Sequence, residues 1–122
     1  MIGIGTDLVE LDRFRRTLHR TPSIVGRLFT DDERAYAELR RDPTERLAAR
    51  FAAKEAVLKA MGAGIGECRF RDIEVVRAES GAPSVRLHGG AVDLAAEKGV
   101  GSWLLTLTHT ESLAQAIAVA LP

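Results

Sequence analysis

Apolar and small residues cover almost every side of one long segment in the middle of the chain. Residues that favour helices fill Arg50 to Met61, and Gly62 follows as a residue that readily takes the positive φ of a helix end. Upstream, Asp42 offers a cap and Pro43 suits a first helical turn. The pattern predicts a helix from about Pro43 to Met61. Because no polar face remains, we expect other parts of the protein to surround this helix.

The segments before the central helix show one strand pattern and two helix patterns. Residues 1–9, MIGIGTDLV, are β-branched, apolar or glycine and predict a first strand buried in a sheet. Residues 10–20 place apolar side chains at helical spacing within a basic surface, which predicts an amphipathic helix. A short apolar turn at 24–29 leads to a capping box at Thr30–Glu33, which predicts a helix to about Arg40.

Strand patterns dominate the chain after the central helix. The predicted elements are a strand at 70–76, a strand at 84–88, a short helix at 91–98, a strand at 102–108 and its hairpin partner at 113–121. A strand, then helices, then mostly strands predicts an α+β fold in which helices pack on one face of an antiparallel sheet. The length suits a single domain over residues 1–122.

The overall composition narrows the classes of function. Seventeen basic and seventeen acidic side chains cancel, so the chain has no overall field that would attract nucleic acid or an anionic membrane. The single cysteine, Cys68, excludes an internal disulfide and argues against a zinc cluster. No apolar run is long enough to span a bilayer, and we expect a cytoplasmic protein.

Four charged residues stand within apolar segments, and each has two interpretations. Glu55 and Lys59 are four residues apart, so they form either an ordinary helical ion pair or part of a ligand site before the glycine-rich loop. Asp7 interrupts an apolar strand, either to hydrogen-bond the following turn or cap the next helix, or as a metal ligand. Lys54 lies in the apolar arc of the central helix, as a snorkelling side chain or an ion-pair partner.

Several motifs together resemble one family. They are Gly3-Ile4-Gly5-Thr6-Asp7 with Glu10 and Arg13, Arg50-Phe51-Ala52-Ala53-Lys54-Glu55-Ala56 with Lys59 and Gly62, Gly64-Ile65-Gly66, Gly81-x-Pro83, and Thr108-His109-Thr110. In this order and over nearly the whole chain, they resemble the holo-[acyl-carrier-protein] synthases, the small phosphopantetheinyl transferases of fatty-acid synthesis. The chain departs from many members of that family in having Ala82, where they carry a lysine.

The resemblance implies a reaction and a set of catalytic residues. The family transfers the phosphopantetheine arm of coenzyme A to a serine of an apo acyl carrier protein, with magnesium, and releases adenosine 3′,5′-bisphosphate. By resemblance, Asp7 and Glu55 hold the metal and Lys59 contacts the coenzyme A phosphates. Two carboxylates suit Mg²⁺, which takes oxygen ligands and substrate phosphates. Glu55 is the first candidate for the base that takes the serine proton, and His109 is the second.

The resemblance also implies binding residues and partners. Arg50, Gly62, Gly81, Pro83 and His109 would lie along the nucleotide site. For His109, a polar residue at a strand end is an equally good interpretation. Arg13 on the basic helix would meet the acidic carrier protein, and family members form homotrimers with each active site at a subunit boundary.

Two other functions are compatible with the same residues. A metal-dependent hydrolase of nucleotide pyrophosphates could use the same carboxylates and lysine and would break down coenzyme A without a protein acceptor. A non-catalytic module that binds a carrier protein or a nucleotide would keep its binding after Glu55→Gln.

Overall fold

The computed structural model describes all 122 residues and has the predicted α+β architecture. Its elements are β1 Gly3–Glu10, α1 Leu11–Arg20, α2 Ile24–Leu28, α3 Asp31–Glu38, α4 Thr44–Ala60, β2 Ile73–Arg77, β3 Pro83–Leu87, α5 Gly89–Glu97, β4 Ser102–His109 and β5 Leu113–Leu121. The antiparallel order β1-β5-β4 forms one sheet, and β2 and β3 form a separate hairpin. None of the helices is long and apolar enough to cross a membrane.

Helix α4 is the centre of the core, as the apolar pattern predicts. Twelve of its seventeen residues are buried. It begins at Thr44, where the Asp42 carboxylate accepts hydrogen bonds from the Thr44 hydroxyl at 2.6 Å and the Thr44 N–H at 3.0 Å. These bonds hold the pKa of Asp42 below its usual value. The helix stops before Gly62, whose φ is +67°.

Small residues let α4 lie directly on the sheet. The inward positions of β5 are the fully buried Ala114, Ala116, Ala118 and Ala120. On β1, a methyl group at Gly5 would overlap the carbonyl oxygen of Ala56 and lie 2.7 Å from the amide nitrogen of Ala60. Only glycine permits this approach. The close contact sets the inward residues of β1 beside the second half of α4.

The prediction of a first strand buried in a sheet holds for only one of its two faces. In the chain by itself β1 is an edge strand, and its outward side chains Ile4 and Leu8 are 60% and 58% exposed. The inward face meets α4, but no second layer covers the outward face.

The structure changes three of the predicted boundaries. Residues 24–29 contain the short helix α2 instead of a turn. Residues 70–72 form one 3₁₀ turn, because the Asp72 N–H donates back to the Arg69 carbonyl at 3.0 Å, so the strand β2 begins only at Ile73. Helix α5 begins at Gly89.

Lys54 does not snorkel. Its side chain and that of Glu33 are fully buried, and Lys54 Nζ lies 2.8 Å from Glu33 Oε1. The ammonium also donates to the carbonyls of Phe70 and Ile73. The ion-pair interpretation is therefore the right one, and the pair ties α4 to α3 and to the start of β2.

Candidate active site

Asp7, Glu55 and Lys59 come together where the inward face of β1 crosses the second half of α4. Lys59 Nζ lies 3.5 Å from Asp7 Oδ1 and donates to the Thr6 carbonyl at 3.0 Å. The ion pair therefore joins the helix to the strand, and the ordinary helical pair of Lys59 with Glu55, one of the two interpretations, does not form. Helix α1 has no side-chain cap, so the capping interpretation of Asp7 is also wrong.

The carboxyl group of Asp7 lies close enough to that of Glu55 to affect the ionisation of Glu55. Burial raises the pKa of Glu55, the negative charge of Asp7 raises it further, and the positive charge of Lys59 opposes both. Two carboxyl groups held close together, with only one lysine beside them, favour the binding of a cation between the two carboxyl groups. Carboxylate oxygens on two rigid elements are the ligands that Mg²⁺ prefers, and substrate phosphate and water commonly complete its shell. The donor set therefore fits magnesium.

An open cleft of about 310 Å³ extends from these carboxylates toward α1. Arg13 lines it together with Asp7 and Glu55, and its apolar wall is formed by Leu8, Val9, Phe14, Ile24, Leu28 and Phe51. Thus the basic helix borders the carboxylates directly, and a group held at Asp7 and Glu55 would lie beside Arg13.

Arg50 lies in a different environment. Its guanidinium carbon is 4.3 Å from the centre of the Tyr36 ring, which also contacts the guanidinium groups of Arg46 at 4.0 Å and Arg77 at 4.8 Å. Glu55 follows Arg50 by five positions, which turns the two residues about 140° apart around the helix. No hydrogen bond or ion pair joins Arg50 to Asp7, Glu55 or Lys59.

The remaining nucleotide-site candidates lie in three different places. The β2–β3 turn lies beside Arg77, whose Nε donates to the Gly81 carbonyl at 3.4 Å, and Pro83 begins β3. His109, at the end of β4, is half exposed and lies 3.4 Å from Glu45 in the first turn of α4. Gly62 ends the same helix just after Lys59. Thus Gly81 lies near the arginine side of α4, Gly62 lies near the carboxylate side, and His109 lies beside the first turn of the helix.

Sequence reasoning did not single out Tyr36, Arg46 or Arg77. Arg46 precedes Arg50 by one helical turn, so the helical spacing could have indicated it. Tyr36 and Arg77 reach the cluster from α3 and β2, and no local pattern marks them.

The comparisons with known proteins cover nearly the whole chain. Residues 3–118 match the family model of the 4′-phosphopantetheinyl transferase superfamily. The chain is 49% identical to a holo-[acyl-carrier-protein] synthase of Frankia casuarinae over 120 residues, 98% of this chain and 97% of that protein.

Solved structures agree with that match. The holo-[acyl-carrier-protein] synthase of Neisseria meningitidis superposes with a TM-score of 0.91 at 33% identity, over 100% of this chain and 99% of that one. That of Bacillus anthracis, in complex with coenzyme A (3′,5′-ADP), gives a TM-score of 0.81 at 34% identity, over 98% and 95% of the two chains. Fold, motifs and identity therefore agree, and this chain belongs to the 4′-phosphopantetheinyl transferase superfamily.

Proposed function

We propose that this chain acts as a holo-[acyl-carrier-protein] synthase. It transfers the 4′-phosphopantetheine group of coenzyme A to a serine of an apo acyl carrier protein and releases adenosine 3′,5′-bisphosphate. The observation that carries the proposal is that Asp7 and Glu55 line one cleft, with Lys59 paired to Asp7, in a member of this family.

Phosphoryl transfer from a pyrophosphate needs alignment of the reacting oxygens and neutralisation of their charge. When bound by Asp7 and Glu55, Mg²⁺ would supply positive charge to the pyrophosphate oxygens. Lys59 is 54% exposed, so its ammonium can exchange its contact with Asp7 for one with a phosphate oxygen. Asp7, on a strand fixed against α4, keeps the carboxylate pair in place while this exchange occurs.

A base must also take the proton from the acceptor serine as its oxygen attacks the phosphorus. Glu55 is our first candidate, because its carboxylate lines the cleft in which the reacting groups would be held. His109 is the second candidate. Within one chain its partner is Glu45, away from the carboxylates, so it could act only on a substrate held at a different subunit's cleft.

We propose that the carrier protein docks on α1. Five basic residues, Arg13, Arg15, Arg16, His19 and Arg20, lie on this ten-residue helix. Arg15 is occupied by Asp12 and Asp42, whereas Arg13 forms no ion pair and lines the catalytic cleft. An acidic carrier protein bound at this helix would present its serine to Asp7 and Glu55.

We further propose a homotrimer with an active site at each subunit boundary. The carboxylate side and the arginine side of α4 face about 140° apart in one chain, so a single nucleotide cannot easily reach both. The outward face of the sheet offers a surface for association. Ile4, Val119 and Leu104 form an apolar row across its three strands, and Ile4 and Leu104 are 60% and 58% exposed.

The first test is the intact mass of an apo acyl carrier protein after incubation with this protein, coenzyme A and Mg²⁺. We expect the mass to increase by one phosphopantetheine group and expect no increase with a chelator. Arg13→Glu should slow the transfer and reduce its salt dependence without weakening coenzyme A binding. Lys98→Glu, the same charge change at the end of α5, serves as the control.

The same experiment distinguishes the alternatives. Breakdown of coenzyme A without any mass gain would indicate the pyrophosphate hydrolase. Binding without either reaction, unchanged by Glu55→Gln, would indicate a non-catalytic module.

A further inference from the structure

A second cleft, which we call the rear cleft, lies on the opposite side of α1 from the catalytic carboxylates. Its volume is about 410 Å³, and α1, α2, α3 and the start of α4 contribute to its walls, among them Leu18, His19, Val25, Arg34, Glu38 and Leu47. On α1, Arg13 and Thr17 line the catalytic cleft, whereas Leu18 and His19 line the rear cleft. The helix therefore separates two clefts, and no residue assigned to coenzyme A or to the metal lies in the rear one.

Arg34 is a charged side chain of the rear cleft that has no partner within the chain. Its Nε is buried without a hydrogen-bond partner, and its guanidinium forms no ion pair. Glu38 follows Arg34 by four positions, a spacing at which opposite charges usually attract, yet the two side chains do not pair. The guanidinium lies toward α2, with Nη1 3.9 Å from where a β-carbon on Gly26 would be. A buried polar atom without a partner needs an explanation, and an acceptor on a bound ligand supplies one.

The other charges of the rear cleft favour a ligand with a single negative charge. Arg15 is neutralised by Asp12 at 2.8 Å and Asp42 at 3.1 Å, so its guanidinium is already occupied. Glu38 and Asp42 line the cleft and would repel a ligand with two negative charges. Arg34 offers one positive charge on a planar fork that matches the two oxygens of a carboxylate. The charges therefore favour a monocarboxylate over phosphate.

Apolar side chains form much of the remaining wall. Leu18, Val25 and Leu47 line the cleft together with Pro22 and Pro43. Leu47 belongs to the buried core, and Leu18 and Val25 pack against that core while still partly exposed. A short aliphatic chain placed against them would leave water, which favours binding. The volume of the cleft is also within the usual range of small-molecule sites.

We propose that the rear cleft binds a small organic monocarboxylate. The carboxylate of the ligand pairs with Arg34, and its apolar body packs against Leu18, Val25 and Leu47. The site is separate from the proposed transfer reaction and does not depend on it. Because α1 lines both clefts, a ligand in the rear cleft contacts the same helix on which we expect the carrier protein to dock.

The test uses hexanoate as the probe and follows the protein by nitrogen–proton correlation NMR, including the Nε–Hε signals of the arginines. We expect saturable shifts of the Arg34 Nε–Hε signal and of the backbone amides of Leu18, Val25 and Leu47. Hexanol lacks the charge, acetate lacks the aliphatic chain, and inorganic phosphate carries a second charge. Each of these three probes should bind at least about tenfold more weakly than hexanoate.

A pair of variants tests the role of Arg34. Arg34→Gln should weaken hexanoate binding by about tenfold or more, because a charged hydrogen bond is lost. Arg16→Gln is the matched control, since Arg16 is an exposed arginine of α1 that does not line the rear cleft. It should leave the affinity for hexanoate unchanged. The comparison of the four probes on the wild-type protein tests the site even where Arg34→Gln does not fold.

Several results would overturn the proposal. They are the absence of a saturable shift with hexanoate, equally tight binding of any of the other three probes, and an unchanged affinity for hexanoate in Arg34→Gln. Equal weakening by Arg34→Gln and Arg16→Gln would also overturn it. Shifts confined to the catalytic cleft or to the arginines around Tyr36 would place hexanoate at another site, with the same consequence.

Discussion

At the scale of single residues, the carboxyl group of Glu55 lies partly buried beside that of Asp7, with Lys59 bound to Asp7 and not to Glu55. Its raised pKa means that the fold favours the protonated form. Folding without a metal is therefore opposed by the same arrangement that favours binding of a cation. Residues of active sites often lower the stability of the fold in this way.

Glu55→Gln should separate these two effects. Because the folded pKa lies above the unfolded value of 4.5, the wild-type protein loses stability as the pH rises from 4.5 through the folded pKa, and the loss is complete above it. Glutamine cannot ionise, so the metal-free variant should have a higher unfolding temperature at neutral pH and little difference at pH values below 4.5. Thermal unfolding in chelator across this pH range measures the effect.

The same variant should lose transfer activity by about 100-fold or more, because charge stabilisation at the phosphate is lost. Intact-mass assays with Mg²⁺ would check this. Transfer at the wild-type rate would remove Glu55 from the catalytic site, and a lower unfolding temperature at neutral pH would contradict its proposed electrostatic cost.

At the scale of elements, the contact between α4 and β1 depends on the absence of side chains. Gly3 and Gly5 face the backbone of α4, so the helix lies on the strand with no side-chain layer between them. This contact places Lys59 within reach of Asp7, 52 residues away in the chain. Stability and the geometry of the site therefore depend on the same glycines.

Gly5→Ala should destabilise the protein by about 3 kcal/mol or more, because its methyl group would overlap the Ala56 carbonyl, which belongs to a buried helix that cannot move locally. Urea denaturation gives the free energy of unfolding. Gly90→Ala is the matched control, since a methyl group there meets nothing within 4 Å. Equal stability of the two variants would show that the helix can shift away from the strand.

The buried pair of Lys54 and Glu33 allows a prediction about how α4, α3 and β2 are held together. Lys54→Met should destabilise the protein by about 3–5 kcal/mol, because it leaves Glu33 charged and buried. Adding Glu33→Gln should recover much of this loss, since the uncompensated charge disappears. A double-mutant cycle in urea measures the coupling. Strictly additive effects of the two substitutions would contradict the pairing.

At the scale of the whole molecule, one face of the sheet is covered by α4 and the other is exposed. The apolar row of Ile4, Val119 and Leu104 crosses all three strands on the exposed face. The two groups of site residues also face different directions around α4. Both features are explained if neighbouring copies cover the sheet and complete the site.

Leu104→Asp should dissociate the proposed trimer and abolish transfer, because three carboxylates would be buried in an apolar interface. Analytical ultracentrifugation measures the mass of the assembly. Val92→Asp is a matched control, since Val92 is a similarly exposed apolar residue on α5, at 48%. A monomer with full activity would refute the shared site, and a persistent trimer would refute this surface as its interface.

Mixed oligomers test the shared site directly. Glu55→Gln damages only the carboxylate side and Arg50→Gln only the arginine side. If each site uses two chains, random assembly of the two inactive variants should restore about a quarter of the boundaries. Recovery of activity on mixing would therefore support the proposal, whereas two variants that stay inactive when mixed would show that one chain supplies both sides.

The sequence by itself determined the elements and the chemistry available to them. The apolar and alanine positions of α4, the glycine at its end and the alternating strands follow from local spacing, so the α+β architecture was predictable. The motifs also indicated the family to which the chain belongs. The boundaries at residues 70–72 were not predictable, because a 3₁₀ turn depends on a local hydrogen bond and not on the apolar pattern.

Only the tertiary structure decided the partners of the charged side chains. Lys59 pairs with Asp7 and not with Glu55, and Lys54 is buried in a pair with Glu33. The ring of Tyr36 contacts arginine side chains from both α4 and β2. These contacts join residues 21 to 52 positions apart, or different elements, and spacing along one helix or strand carries no information about them. The free energy of burying a charge selects the partner, and that depends on how the elements pack.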